Sequence, residues 1–131
     1  MGALVLDASA LVEILLGAAI TPFDRFLDPD HALHVPEVCD VEVVAGMRRR
    51  VARGLASELD VWDALVDYID LPITRHPHFT VIGRMFELRA NFTHYDAAYV
   101  ALAERLGADL VTADRSLARA VHRHTAVRCM P

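Results

Sequence analysis

Short apolar runs of strand length alternate with longer stretches of helical periodicity along almost the whole chain. Few folds accept that alternation, because strands joined through helices pair in parallel and a parallel sheet has to be covered on both faces. Leu4-Val5-Leu6 reads as a strand, and Asp7-Ala8-Ser9 supplies capping chemistry before a helical stretch from Leu11 to Leu16 that Gly17 ends. Ala32 to Val35 can form a second strand, with Pro36 suited to the first position of a helix running through Arg50 toward Gly54. Leu59 to Ile69 is a helix with Val61, Leu65 and Tyr68 on one side and Asp60, Asp63, Asp67 and Asp70 facing solvent. Leu71-Pro72-Ile73 is a short strand or connector, since Pro72 argues against a long central strand.

A helix from about Pro77 to Ala90 is expected to turn Phe79, Ile82, Phe86 and Leu88 inward. Thr93 to Leu106 is a further helix, with Thr93 as N-cap, Tyr95, Tyr99, Leu102 and Leu106 as its apolar stripe and Gly107 as its stop. Asp109 to Thr112 is a buried strand, followed by a helix from Ser116 to Val121 and a last strand around Val127. The expected fold class is α/β: a three-layer α/β/α sandwich with a central, mainly parallel four- to five-stranded sheet, built as one domain over residues 1–131.

Its 131 residues, 54% of them hydrophobic, suffice for a real core. Uncharged apolar runs such as Ile14 to Ile20 are too short to span a bilayer, and no basic segment precedes the first strand, so neither export signal nor membrane anchor is expected. Cys39 and Cys129 are the two cysteines and form no C-x-x-C pair, which fits a reducing, cytoplasmic setting.

Four acids stand where the chain otherwise reads apolar: Asp7 after the first strand, Glu42 between Val41 and Val43, Asp96 in Tyr95-Asp96-Ala97, and Asp114 after Thr112-Ala113. Carboxylates are rarely buried unless paired or bound to a cation. Asp7 and Asp114 follow strands, at the carboxyl ends where ligand crevices form in open α/β sheets. Glu42 shares a helix side with Val38 and Ala45, and Asp96 sits in the first turn of its helix, so one cleft can gather all four. At roughly 4 Å and an effective dielectric near 20, two carboxylates repel by about 4 kcal/mol. A divalent cation relieves that repulsion. All-oxygen ligands favour Mg²⁺ or Mn²⁺, and such a site suits phosphodiester hydrolysis, with Ser9 and Thr112 as neutral oxygens positioning water or a carboxylate.

The formal charge of −5 argues against a nucleic-acid partner only until those acids are set aside. Without the four, 14 of the 18 acids face 13 bases, leaving −1. Every base is arginine, which suits bidentate phosphate contact. Plainer roles compete for each position. Thr93-x-x-Asp96 has the form of a capping box, and Asp7 and Asp114 can each cap the helix that follows. Arg48, Arg49, Arg50 and Arg53 are either an RNA-facing patch or an exposed, dipole-compatible helix end. His31-x-x-His34, His76-x-His78 and His122-x-His124 read as solvated histidines of loops and chain ends, with no metal assigned.

Val5-Leu6-Asp7-Ala8-Ser9-Ala10, Pro36 with Glu42 and the arginines after it, Leu88-Arg89-x-Asn91-x-Thr93-x-Tyr95-Asp96-Ala97-Ala98-Tyr99, and Leu110-Val111-Thr112-Ala113-Asp114-Arg115 together resemble PIN-domain ribonucleases of the VapC toxin type. The resemblance spans nearly the whole chain. It implies a Mg²⁺- or Mn²⁺-dependent endoribonuclease that forms a homodimer and is inhibited by a small cognate antitoxin of VapB type. By position, Asp7, Glu42, Asp96 and Asp114 become the catalytic and metal-binding set, with Ser9 and Thr112 in support. Arg89, inside the matching tract, is expected to orient Asp96 or a phosphate. The alternative is a PIN-like RNA-binding or scaffolding domain without catalysis. A receiver-type phosphoryl-transfer domain is disfavoured because the chain lacks lysine, and a dehalogenase-like phosphatase because no Asp-x-Asp follows the first strand.

Overall fold

The computed structural model describes residues 2–17 and 21–130. Strands β1 (Gly2–Leu6), β2 (His31–Pro36), β3 (Ile73–His76), β4 (Asp109–Val111) and β5 (Cys129–Met130) form one sheet, all neighbours parallel, in the order β3-β2-β1-β4-β5. Helices α1 (Ala8–Leu16), α2 (Val38–Ala52), α3 (Glu58–Asp70), α4 (Ile82–Glu87), α5 (His94–Leu106) and α6 (Arg115–His124) flank it. The chain builds outward from β1 to β3, then returns to add β4 on the other side of β1. Right-handed crossovers in this order put α1 to α3 on one face and α4 to α6 on the other. The direction of growth reverses between β1 and β4, which opens a crevice at their carboxyl ends.

Burial explains the strand at the centre. Leu4, Val5 and Leu6 are consecutive and all buried, as a strand covered on both faces requires. Helix α5 crosses β1, β2 and β4, and every residue from Ala97 to Ala103 is buried, a wider face than the expected stripe. Tyr95, placed in that stripe by periodicity, is exposed instead. Thr93 accepts the Asp96 N–H and Gly107 ends the helix at φ 60°, so both caps fall where the sequence puts them.

Three expectations change. Pro36 is the last residue of β2, and α2 starts two residues later at Val38. Glu37 makes no side-chain cap there; the Val38 N–H donates to Nε2 of His78 at 3.0 Å. The segment from Pro77 to Ala90 is not one helix but two 3-10 turns, His78–Val81 and Leu88–Ala90, around the short α4. Its phase buries Val81 and Leu88 and leaves Phe79, Ile82 and Phe86 exposed, because both sides of this stretch are apolar and tertiary packing chooses between them. The last strand forms at Cys129–Met130, since Thr125 Oγ1 holds the Val127 N–H in a turn.

Helices α1 and α2 pack at a glycine. A Cβ on Gly46 would come within 2.9 Å of Val12 Cγ2, closer than side-chain atoms tolerate, so this contact sets the distance between the helices that carry Glu13 and Glu42. Gly46→Ala is expected to destabilise by about 1–3 kcal/mol through overpacking. Gly83→Ala, in α4 with nothing within 4 Å of its added Cβ, should instead stabilise by roughly 0.5–1 kcal/mol. Urea unfolding of both variants checks the opposed signs.

Candidate active site

Asp7 is the first residue after β1, and its N–H donates to Val111 O of β4 at 3.0 Å. The side chain is only 5% exposed. The Thr112 hydroxyl donates to its Oδ2, while the Ser9 hydroxyl and the Ala10 N–H donate to Oδ1 at 2.7 and 3.0 Å. The same hydroxyls order the opposite rim, because Ser9 Oγ accepts the Ala113 N–H and Thr112 Oγ1 accepts the Asp114 N–H, each at 3.0 Å. Ser9 and Thr112 thus hold a carboxylate, the second of the two supporting roles expected. Burial pushes the Asp7 carboxyl up to about 6 against these three hydrogen bonds, and the Asp114 carboxylate adds to the rise.

Asp7, Glu42, Asp96 and Asp114 all line one cleft of about 380 Å³ at the reversal point of the sheet. The capping roles are real as well. Asp7 Oδ1 caps α1, and Asp114 Oδ1 caps α6 by accepting the Ser116 and Leu117 N–H groups at 2.9 and 3.1 Å. Thr93 caps α5 through the Asp96 backbone, so the half-buried Asp96 carboxyl is raised chiefly by burial and then by Asp114. Glu42 is raised chiefly by burial too. The Tyr99 hydroxyl near it lowers the carboxyl without a hydrogen bond of normal geometry, so Glu42 Oε1 and the Tyr99 oxygen are both buried without partners. Three acids are therefore held above their ordinary range with too little positive charge around them.

Arginines answer part of that deficit. Arg49, Arg50 and Arg53 line the same cleft, and Arg49 favours the charged form of Glu42. Arg50 is bound to Glu13 Oε1 at 2.6 Å, across the α1–α2 contact. From the sequence these residues, with Arg48, fit either an RNA-facing patch or a helix end. Their signal was the spacing from Glu42, which puts positions 42, 46, 49 and 53 on one helix side. Two further lining residues carry no signal of a site in the sequence: Glu13 lies inside the first helical stretch, and Tyr99 belongs to the apolar stripe of its helix.

Arg89 does not meet Asp96. It donates to Phe86 O at 3.0 Å and stacks over the Phe86 ring at 4.1 Å, outside the cleft. Two histidine pairs also differ from expectation. His34 and His76 lie on adjacent strands with Nδ1 and Nε2 2.8 Å apart, and burial, then His76, lowers the His34 pKa. His78 is the acceptor that starts α2. Among the described residues no three His, Cys, Asp or Glu side chains stand together closely enough to form a ready-made ion site. The orphaned, buried Glu42 Oε1 and the raised Asp7 and Asp96 carboxyls of the same cleft nonetheless fit a cation, because all are oxygen donors whose charged form burial disfavours.

The PIN-domain family profile matches residues 4–122. The chain belongs to the PIN-domain family. Ribonuclease VapC12 of Mycobacterium tuberculosis H37Rv is 40% identical over 127 residues, 94% of this chain and 95% of that protein. Ribonuclease VapC9 of the same strain is 41% identical over 114 residues, 87% of each. Among solved structures, PAE2754 from Pyrobaculum aerophilum aligns with TM-score 0.70 at 22% identity over 98% of this chain and 83% of that one. VapBC2 from Rickettsia felis, bound to a DNA fragment from their promoter, aligns with TM-score 0.64 at 13% identity over 98% and 97%. The two structures share the fold of this PIN domain, a parallel sheet flanked by helices. No helix among its described residues is long and apolar enough to cross a membrane.

Asp7 sets a pH dependence for this PIN domain. Its folded value of about 6 lies above the ordinary 3.8, so folding favours the protonated carboxyl. That contribution is complete below about pH 4 and is lost as pH rises through about 6. With chelator present, ionised Asp7 then costs on the order of 3 kcal/mol at neutral pH. Asp7→Asn should melt above wild type at neutral pH, with the gap closing toward pH 4. Thermal melts showing the same gap at both ends would contradict it.

Proposed function

We propose that this PIN domain is the toxin of a type II toxin–antitoxin pair, an endoribonuclease that hydrolyses RNA phosphodiester bonds with Asp7, Glu42, Asp96 and Asp114 as its site. The observation that carries this reading is that four carboxyls from four separate stretches of chain line one cleft, three of them, Asp7, Glu42 and Asp96, raised chiefly by burial. Mg²⁺, or Mn²⁺, held by these acids would supply charge neutralisation at the phosphate and a lowered pKa for water.

The protein's own groups divide the remaining work. Ser9 and Thr112 fix the rotamer of Asp7 and the backbone of Asp114. Glu42 Oε1, free of hydrogen bonds and with its carboxyl raised by burial, accepts the proton of the attacking water. Buried Val12 and Tyr99 form part of the apolar wall of the cleft.

A VapB-type antitoxin and a second copy of the chain complete the proposal. Two apolar faces offer room for two protein contacts: Leu59, Trp62 and Ile69 on or beside α3, and Phe79, Ile82 and Phe86 around α4, all more than half exposed.

Protein freed of its partner should cleave RNA in Mg²⁺ or Mn²⁺ and not in chelator, with Asp96→Asn reducing cleavage to background. Cleavage that survives both treatments would sink the reading. Thr112→Val, which removes the hydroxyl that holds Asp7, should cost about 10- to 100-fold in kcat/KM with folding retained. Single-turnover RNA cleavage beside circular dichroism measures both.

A further inference from the structure

The cleft has two ends of opposite charge. From Glu42 the cleft side of α2 runs through Ala45 and Gly46 to Arg49, Arg50 and Arg53, all of which line the cavity. Arg53, the C-cap, lies eleven positions after Glu42, roughly 16 Å along the axis. The small residues at 45 and 46 put no long side chain of their own into that path, where Val12 of α1 packs against Gly46. Arg49 folds back along it, with Nη2 3.8 Å from where a Gly46 Cβ would sit, and Arg50 is aimed by its 2.6 Å ion pair with Glu13.

A helix-dipole role alone does not account for this arrangement. Arginines in a last turn interact favourably with helix carbonyls wherever they point. Arg48 fits that description, being exposed and outside the cleft, whereas its three neighbours share a wall with the acids.

Resting on the nuclease reading above, we infer that Arg49, Arg50 and Arg53 are a subsite for the phosphates of an unpaired RNA strand flanking the bond to be cut, with Glu13 as a positioning residue for Arg50. A cleft of about 380 Å³ has the size of a small-ligand site and does not admit a duplex. Tyr99 is the one aromatic residue of its lining among the described residues, and it is buried, so no ring is offered for base stacking. The subsite reads backbone charge, which positions a strand without specifying its sequence.

Fluorescence anisotropy tests this with two unrelated fluorescein-labelled single-stranded RNAs, in chelator, on an Asp96→Asn background. Arg53→Ala, whose side chain is exposed and whose loss leaves the core intact, should weaken both RNAs alike. It should also make the slope of log Kd against log salt shallower by about 0.7, the value for one single-strand phosphate contact. Arg49→Ala with Arg53→Ala should lower the slope by about twice that, Arg53→Lys should restore most of it, and Arg48→Ala should leave it unchanged. In the cleavage assay with the acids intact, the Arg53→Ala loss should fall on KM more than on kcat. Glu13→Gln should raise KM through the released Arg50.

Slopes for Arg49→Ala and Arg53→Ala equal to the parent's overturn the subsite, as does an equal effect of Arg48→Ala. If wild type cleaves no RNA with any divalent cation, the nuclease reading falls, and the slopes still decide the subsite. If wild type cleaves and the slopes do not move, only the subsite falls.

Discussion

Asp7 is a buried carboxylate that must be satisfied where β1 meets β4, and the geometry of the rim follows from how that is done. Its two oxygens take hydrogen bonds from Thr112, Ser9 and the Ala10 N–H. Those groups belong to the first turn of α1 and to the residue after β4, more than a hundred positions apart in sequence. Because Ser9 and Thr112 also accept the Ala113 and Asp114 N–H groups, satisfying Asp7 places Asp114 as well. Removing a partner from a buried charge costs more than the bond gained, so the network is strongly specified. Its consequence is a rim crowded with negative charge.

Helix α2 answers that charge from the facing wall. Its distance is set by the close approach of Gly46 to Val12, and its start is held by His78. These two contacts bring Glu42 against Tyr99 and carry the arginines of its last turns into the cleft. The site is therefore a property of two packed units, the β1–β4 junction and α2, rather than of any one motif.

The alternation of strands and helices was legible because a parallel sheet needs long apolar runs and helical crossovers, both local patterns. The four acids were legible because each breaks an apolar context. Caps at Thr93 and Gly107 were readable from residue chemistry alone. Other features were not. Phe79, Ile82 and Phe86 share one apolar segment with Val81 and Leu88, and periodicity offers two equally greasy sides. His34 and His76 read as loop residues until β2 and β3 pair and bring their rings together. Arg89 lies within a motif that matches the family, yet local geometry turns it onto Phe86.

By itself, the sequence determined the fold class and singled out four carboxyls that line one cleft, since periodicity, capping and an acid within an apolar run are all encoded within a few neighbouring residues. Only the tertiary structure decided that two of those acids act as helix caps while sharing a cleft, that Glu42 keeps a buried oxygen without a partner, and that three arginines face the acids. Burial and charge proximity are sums over segments distant in the chain, and no local pattern contains them.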